Sequence, residues 1–171
     1  MGSVSKCYIA IDPGISGAVA LIDPDGYKVF DIPVMRKGEG FVKYEVNARG
    51  LQDILREHVN YEPMALIERV NAMPGQGGSS MFSLGDSFGA CRATLACCRF
   101  PYMHVTPSEW KKHYKLSRDK EEARAMAIKM FPEAELHLKK HVDRAEALLM
   151  AAYLKTKMED ASKEIKDDKT V

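Results

Sequence analysis

Four acidic residues of this sequence stand beside apolar segments, where an ionised carboxylate is unfavourable unless a cation neutralises it. Asp12 and Glu68 each end a short apolar run, and Asp143 and Glu146 open a segment that is rich in alanine and leucine. Carboxylate oxygens are preferred ligands of Mg²⁺, which in such sites commonly serves phosphate chemistry. The four acids therefore indicate a magnesium site for phosphodiester chemistry.

Each acid also has an ordinary structural interpretation when it is taken alone. Asp12 precedes a Pro-Gly pair and is typical of a turn residue. Glu68 is followed by an arginine and is typical of a surface ion pair, which contributes under about 1 kcal/mol. Asp143 and Glu146 could simply complement the macrodipole at the start of a helix. The occurrence of all four acids in this order is what favours a shared site.

The elements that must position these acids follow an α/β pattern. Alternating apolar residues predict an antiparallel meander of three strands, and a continuous apolar run predicts a buried parallel strand. With a fifth strand, they cover residues 6–12, 18–23, 27–32, 64–68 and 102–105. Helices are predicted after Asn47 to about residue 58, over 84–98, after Thr106, after Asp119 and over 142–158, and loops over 33–40 and 71–80. This order predicts an α/β fold with a five-stranded mixed sheet flanked by helices.

The predicted elements could bring the acids together. Neighbouring parallel strands end at the same sheet edge, so Asp12 and Glu68 would meet there if their strands are adjacent. Asp143 and Glu146 are three positions apart on a helix and share a face. The rest of that helix is apolar, so we expect it to pack on the sheet. Two Mg²⁺ ions about 4 Å apart could then bridge the four groups.

The composition limits the class of protein. The chain has 171 residues, 46% hydrophobic and 29% charged, which is typical of a globular domain. We expect one domain over 1–158 and a charged flexible tail over 159–171. No apolar run approaches the roughly 18 residues of a membrane span, so no membrane partner is expected. The four cysteines lack a C-x-x-C spacing, which disfavours zinc and favours a reducing compartment.

Basic residues form short clusters although the net charge is only +1. Positive charge beside acidic residues is expected where phosphates and cations both bind, but a solvated charged face explains the pattern equally well. The clusters comprise Lys111, Lys112, Lys115, Arg118 and Lys120 and, just before the last acidic pair, Lys139 and Lys140.

Several motifs together resemble a known family. They read Ile-Asp-Pro-Gly-Ile-Ser-Gly-Ala at 11–18, Ile-Glu-Arg-Val at 67–70, Gly-Gly-Ser-Ser-Met-Phe-Ser-Leu-Gly at 77–85, Val-Thr-Pro-Ser-Glu-Trp-Lys-Lys at 105–112 and Asp-Arg-Ala-Glu-Ala-Leu-Leu-Met-Ala at 143–151. In this order they resemble RuvC-type Holliday junction resolvases, which belong to the RNase H-like nuclease superfamily. The segments at 77–85 and 105–112 resemble its phage-encoded and organellar branches. The resemblance covers roughly residues 6–155.

The resemblance implies a homodimeric, structure-selective endodeoxyribonuclease that nicks two strands of a four-way DNA junction symmetrically. It implies two Mg²⁺ ions, with Mn²⁺ as a substitute, held by Asp12, Glu68, Asp143 and Glu146. One ion would activate water and the other would stabilise the leaving 3′ oxygen. The family often has aspartate as the final acid, so Glu146 is a departure from its pattern. Some members have a histidine among the C-terminal ligands, which makes His141 a candidate ligand.

The resemblance also implies DNA contacts. Lys111 or Lys112 would stabilise the negative charge of the transition state. The glycine-rich loop at 71–80 would reach the junction centre, where Met73 would wedge against unstacked bases or else fold back onto the core. Trp110 is expected to pack rather than to stack on a base. The expected DNA-binding residues are Met73, Pro74, Gly75, Gln76, Gly77, Gly78, Ser79, Ser80, Lys115, Arg118, Lys139 and Lys140.

Other functions are compatible with parts of this pattern. The turn after Asp12 also resembles the phosphate loop of sugar-kinase or actin-like ATPases, but these need a second lobe, so no nucleotide cofactor is expected. A nuclease of the same superfamily acting on another branched DNA or an RNA–DNA hybrid would share the carboxylates. A non-catalytic junction-binding protein is disfavoured because all four acids are present. The expected location is the cytoplasm of a bacterium or a phage-infected host cell, or an organellar matrix.

Overall fold

A five-stranded sheet forms the centre of the computed structural model, which describes residues 4–39, 43–71 and 74–167. The strands in chain order are β1 (Lys6–Asp12), β2 (Ala18–Asp23), β3 (Gly26–Asp31), β4 (Val34–Arg36), β5 (Tyr44–Val46), β6 (Glu62–Glu68) and β7 (Tyr102–Val105). The central sheet has the order β3–β2–β1–β6–β7, while β4 and β5 form a separate antiparallel pair. Pairing is antiparallel among β1, β2 and β3 and parallel from β1 to β6 and from β6 to β7. The predicted mixed sheet is confirmed.

Helices flank the sheet, and several begin at the capping residues that the sequence predicts. The Asn47 side chain accepts a hydrogen bond from the Gly50 amide at 3.0 Å, Thr106 and Glu109 form a reciprocal capping box, and Asp119 caps the next helix. None of the helices within the described ranges combines the length and apolar character that crossing a bilayer requires. The helices are α1 (Ala48–His58), α2 (Gly78–Cys97), α3 (Pro107–His113), α4 (Lys120–Met130) and α5 (Val142–Asp167), with a 3₁₀ turn at Lys139–His141 before α5.

The sheet is buried on both faces, because successive side chains of its central strands point to opposite sides. On one side, Tyr8 and Ala10 of β1 pack in a cluster with Trp110 and the buried residues of α4 and α5. On the other side, Ile9 and Ile11 pack with the buried residues of α1 and α2. Both apolar clusters therefore hold β1 in place, and β1 ends at the first of the four acids.

Two regions differ from the sequence prediction. The predicted loop at 33–40 contains β4, whose Arg36 pairs with Tyr44 of β5. The helix α2 begins at Gly78 rather than at residue 84, so the last residues of the predicted loop at 71–80 are helical. Glycine and serine have weak helix propensity, so this segment does not predict the start of a helix. In the structure, the Gly77 carbonyl begins the helix by accepting hydrogen bonds from the amides of residues 80 and 81.

The last helix is also longer than predicted. It continues through Asp167 rather than ending at residue 158, so the predicted tail at 159–171 is helical as far as the structure describes it. The flexibility of this tail stays a prediction. The sequence predicted that the helix ends at residue 158 because the following segment has few apolar residues. A helix can nevertheless continue into solvent when its preceding turns pack on a core.

Candidate active site

The register between β1 and β6 places Asp12 and Glu68 at the same edge of the sheet. The two parallel strands pair Ile11 with Ile67, so the next residue on each strand is one of these acids. Each acid is the last residue of its strand. The two carboxylates therefore lie at the carboxyl edge of the parallel strands, where open α/β sheets hold their ligands.

The start of α5 brings two further acids to this edge. Asp143 and Glu146 lie in the first turns of the helix, which packs on β1 and β2. One carboxylate oxygen from each of Asp12, Asp143 and Glu146 lies within 4.8 Å of the others. Glu68 is outside this closest group in the described ranges, but its charge acts on Asp12. The structure thus gathers the acids that the sequence singled out, three of them at distances suited to a shared cation.

The proximity of these carboxylates opposes their ionisation. Burial raises the pKa of Asp12 well above its ordinary value, and the charges of Glu68, Glu146 and Asp143 raise it further. Burial also raises the pKa of Glu68; a hydrogen bond from Trp110 opposes this shift, and the charge of Glu146 adds to it. In the absence of a cation, the site therefore tends to retain protons, which a bound divalent ion would displace.

Two lysines place positive charge against the acids. Nζ of Lys111, on α3, lies 2.7 Å from Oε1 of Glu146. Nζ of Lys120, the first residue of α4, lies 2.7 Å from Oδ1 of Asp143 and 3.5 Å from Oε2 of Glu146. Burial opposes the charge on Lys120, but its hydrogen bond to Asp143 and the surrounding carboxylates outweigh burial and raise its pKa. Lys120 therefore stays protonated and belongs to the site.

The structure distinguishes between Lys111 and Lys112, the two alternatives that the sequence analysis gave for stabilising the transition state. Lys111 is largely buried beside Glu146, whereas Lys112 is exposed and makes no ion pair in the part of the chain described. Lys120 is a site residue that sequence reasoning did not single out from its basic cluster. The sequence does indicate that Lys120 is the first residue of a helix, because it directly follows the capping residue Asp119. It does not indicate that this end of the helix lies beside the acids.

Trp110 holds one of the acids in position. Its ring is fully buried, as expected of a packing residue, and Nε1 donates a hydrogen bond of 2.7 Å to Oε1 of Glu68. The capping box at Thr106 starts the short helix α3 that carries both Trp110 and Lys111. The capping box, which is recognisable in the sequence, therefore helps to orient Trp110 and Lys111, and each of these contacts a different acid.

The donor set fits a hard divalent cation such as Mg²⁺, which prefers carboxylate oxygens. The Glu146 side chain is only 6% exposed. Its Oε1 forms an ion pair with the Lys111 ammonium at 2.7 Å, although this contact does not have the alignment of a hydrogen bond. Buried carboxylate oxygens normally have a hydrogen-bond partner. One oxygen of Glu146 and one each of Asp12 and Asp143 lie close enough together to coordinate a shared cation.

An open cleft of about 690 Å³ extends from the acids along the surface. A Cβ atom at Gly17 would lie 2.0 Å from the backbone oxygen of Asp12, so only glycine fits the turn that borders the acid. The cleft lining includes the predicted residues Gln76, Ser79 and Ser80 and also Lys43, Tyr44, Ser83 and Ser87, which sequence reasoning missed. Lys43 and Tyr44 depend on β5 and Ser83 depends on the early start of α2, neither of which was predicted, whereas Ser87 lies in the helix that was predicted.

The other residues predicted to bind DNA lie away from the acids or have no contact with them among the described residues. Pro74, Gly75 and Gly77 precede α2, Gly78 is its first residue, Lys115 and Arg118 are exposed between α3 and α4, and Lys139 and Lys140 are exposed in the 3₁₀ turn. Met73 lies outside the described residues. These DNA contacts therefore stay predictions.

His141 occupies a different environment from the four acids. It is buried in the 3₁₀ turn, with its ring centre 5.4 Å from that of His137. Burial lowers its pKa, and the nearby Arg144 charge lowers it further. Its Nδ1 has no hydrogen-bond partner within the described ranges, and it does not belong to the closest group of cation donors there. Its role as a ligand stays a prediction.

Comparison with known structures identifies the fold. A structure of Thermus thermophilus RuvC in complex with a Holliday junction substrate matches with a TM-score of 0.53 and 18% identity, over 85% of this chain and 90% of that chain. A second Thermus thermophilus RuvC structure has a TM-score of 0.53 and 17% identity, over 88% and 96% of the two chains. No known family profile and no curated protein sequence matches the chain. The chain thus has the RNase H-like fold seen in RuvC.

Proposed function

We propose that the chain is a divalent-metal-dependent endodeoxyribonuclease that resolves four-way DNA junctions by paired symmetric nicks. The proposal includes a homodimer, because symmetric nicks on two strands need two active sites. It includes Mg²⁺ as the natural ion, with Mn²⁺ as a substitute, and action on DNA in the cytoplasm or an organellar matrix. The observation that carries it is the convergence of Asp12, Asp143 and Glu146 beside Glu68.

The comparisons support the choice of substrate. The matched RuvC structure is a complex with a Holliday junction substrate, and this chain, whose fold is similar, has four acids at or beside the carboxyl edge of its sheet. The open cleft beside the acids is lined by the hydroxyls and the lysines that commonly contact DNA phosphates. A chain that only bound junctions would have no need to bury mutually repelling carboxylates at this edge.

The carboxylates would hold the metal, with Asp12, Asp143 and Glu146 as the closest donors and Glu68 beside them. When bound, such an ion lowers the pKa of coordinated water and stabilises charge on the leaving oxygen. In the reaction, a water oxygen forms a bond to phosphorus and the bond from phosphorus to the 3′ oxygen breaks. The products are a 5′-phosphate and a 3′-hydroxyl.

The chain's own cations act on the same phosphate. Lys111 is held against Glu146 by its place on α3, and its positive charge would stabilise the additional negative charge of the pentavalent transition state. Lys120 lines the cleft beside Asp143 and would attract the phosphate. Trp110 fixes the carboxylate of Glu68 by its hydrogen bond and so orients a donor without touching the substrate.

Cleavage of a panel of labelled DNAs tests this function. The panel is a four-way junction, a Y-fork, a linear duplex and an RNA–DNA hybrid, each offered with Mg²⁺ and with EDTA. We expect two symmetric nicks in the junction with Mg²⁺ and none with EDTA. Cleavage of the hybrid alone would indicate the alternative RNase H-like activity, and binding of the junction without cleavage would indicate a non-catalytic role.

Substitution of one acid tests whether the cluster carries the chemistry. Asp12→Asn should lower Mg²⁺-dependent cleavage by at least about a thousandfold, which is typical of removing a catalytic group, while junction affinity changes little. Asp53→Asn, at an exposed position on α1, is the matched control and should cleave normally. Undiminished cleavage by Asp12→Asn would remove the cluster from the mechanism.

A further inference from the structure

Part of the cleft lining, which we call its wall, carries polar side chains that have no internal partners in the described part of the chain. Tyr44 is the first residue of β5 and Lys43 directly precedes it, and Ser79 and Ser83 come from the first turns of α2. Within the described ranges, the Lys43 ammonium, the Tyr44 hydroxyl and the hydroxyls of Ser79 and Ser83 make no hydrogen bond or ion pair through their side chains. These groups are thus available to a ligand that enters the cleft.

Tyr44 is fixed in position although its side chain is open to solvent. Its residue is 48% exposed, and its backbone pairs with Arg36 across the two-stranded sheet. The Lys37 amide donates a hydrogen bond of 2.9 Å to the carbonyl of Lys43, which closes the sheet at this end. Nζ of Lys37 lies 3.5 Å from Asp86 and so ties the sheet to α2. An aromatic ring on a braced strand can receive a ligand with little loss of conformational freedom.

The chemistry of this wall suits one nucleotide beside a phosphodiester that the acids would cleave. An exposed aromatic ring stacks on the face of any base, and a lysine attracts phosphate. A base inside a duplex is already stacked on both faces, so Tyr44 can receive only a base that has left its stack. The cleft falls in the roughly 300–1,000 Å³ range of small-ligand sites, so it has room for such a nucleotide.

We propose that Tyr44 and Lys43 form a subsite for an unpaired nucleotide next to the scissile phosphate, with Tyr44 stacking on its base and Lys43 contacting its phosphate. This inference rests on the proposed nuclease function and specifies the state of the DNA that the site accepts. It makes Tyr44 a positioning residue, since the ring orients the strand and takes no part in the bond changes. The chain should therefore favour DNA that is unstacked at the cleavage point.

Binding measured in EDTA tests the subsite apart from the chemistry. The probe is a four-way junction with 2-aminopurine at the nucleotide beside the nick site, mapped first with the wild-type protein and Mg²⁺. Stacking on Tyr44 should quench 2-aminopurine in the complexes of the wild type and of Tyr44→Phe, which keeps the ring. The complex of Tyr44→Ala should be brighter by about twofold or more, because its wall has no ring.

Affinity and cleavage supply the second readout. Tyr44→Ala should lower junction affinity or cleavage rate by about tenfold, within the range for loss of one stacked base, and Tyr44→Phe should restore it. Lys43→Met should weaken binding and reduce its salt dependence, whereas the matched control Lys129→Met, exposed on α4 outside the cleft, should change neither. Thermal melting of each variant checks that the fold is retained.

The outcomes separate the two proposals. If the wild type nicks the junction but Tyr44→Ala matches it in fluorescence, affinity and rate, the subsite is wrong and the nuclease function stands. The same holds if Tyr44→Phe is as defective as Tyr44→Ala. If the wild type nicks none of the substrates, the proposed function fails and the subsite fails with it.

Discussion

At the scale of single residues, Lys111 and Lys112 show how neighbouring identical side chains take different roles. Lys111 lies 2.7 Å from Glu146, and both side chains are largely buried, whereas Lys112 faces solvent. A buried carboxylate that loses its cation is strongly destabilised, because the charge has neither water nor a counterion. We therefore expect the stability of the metal-free protein to depend on Lys111 and not on Lys112.

Replacement of each lysine by methionine tests this dependence. In EDTA, Lys111→Met should lower the free energy of unfolding by about 3 kcal/mol, the order seen when a buried ion pair loses one partner. Lys112→Met is the matched control and should change it by less than about 0.5 kcal/mol. Mg²⁺ should recover part of the loss in Lys111→Met, since a bound cation neutralises Glu146. Urea denaturation with and without Mg²⁺ measures both effects, and equal stabilities of the two variants would contradict the expectation.

The acids could be predicted from the sequence, but their partners could not. Asp12 and Glu68 end recognisable strands, and Asp143 and Glu146 share a recognisable helix face. Lys120 reaches Asp143 across 23 positions of the chain, and this contact depends on how α4 packs against α5. Such packing is a tertiary property that no local pattern of residue types specifies.

At the scale of elements, the short helix α3 depends on its cap. It has seven residues, too few to be stable in isolation, yet it carries Trp110 and Lys111 to the acids. The Thr106 side chain accepts a hydrogen bond from the Glu109 amide, and Oε2 of Glu109 accepts a hydrogen bond of 2.7 Å from the Thr106 amide. Loss of this cap should therefore affect the site as well as the stability of the fold.

Thr106→Ala tests the contribution of the capping box. The variant should lose about 1 kcal/mol of stability, the usual effect of removing a threonine cap, and its cleavage rate should fall because Lys111 is held less firmly. Thr156→Ala is the matched control, because in the described part of the chain its hydroxyl bonds only back to the Ala152 carbonyl within α5. Urea denaturation and junction cleavage measure the two effects. Equal behaviour of the two variants would show that the cap does not support the site.

Elements with strong local signals agree with the prediction, and those without them do not. The strands β1, β2 and β7 have the predicted bounds, because alternation, turn residues and a proline mark their ends. The β4–β5 pair has only three residues in each strand and is held by tertiary ion pairs of Lys37. Strands this short, with Val46 as their one buried residue, have no distinctive apolar pattern. The part of the cleft wall that β5 supplies was therefore beyond sequence reasoning, although Ser79 and the acidic side of the cleft were not.

At the scale of the whole molecule, the acidic site is a source of instability when no metal is bound. The pKa of Asp12 and that of Glu68 are both raised in the folded state, burial being the main cause. The folded state then binds more protons than the unfolded state at any pH between the ordinary values, about 4, and the raised ones. The contribution of these groups to stability is present below about pH 4 and is lost as pH rises through that window.

The difference between Asp12→Asn and the wild type measures this effect. In EDTA, the variant should gain stability relative to the wild type as pH rises from about 4, and the gain should level off once Asp12 is ionised. Mg²⁺ should reverse the order near neutral pH, because the wild type binds the ion more tightly. Thermal melting from pH 4 to 9 with EDTA and with Mg²⁺ provides the measurement. A difference that does not vary with pH would show that Asp12 has an ordinary pKa.

The position of α5 in the chain has a consequence during protein synthesis. This helix supplies Asp143 and Glu146 and packs on β1 and β2, which the ribosome makes first. A nascent polypeptide stalled before residue 143 therefore has Asp12 and Glu68 but not the two acids that complete the cluster. If the proposed function holds, a truncated translation product should be unable to cleave DNA, and the activity should arise only when α5 docks on β1 and β2.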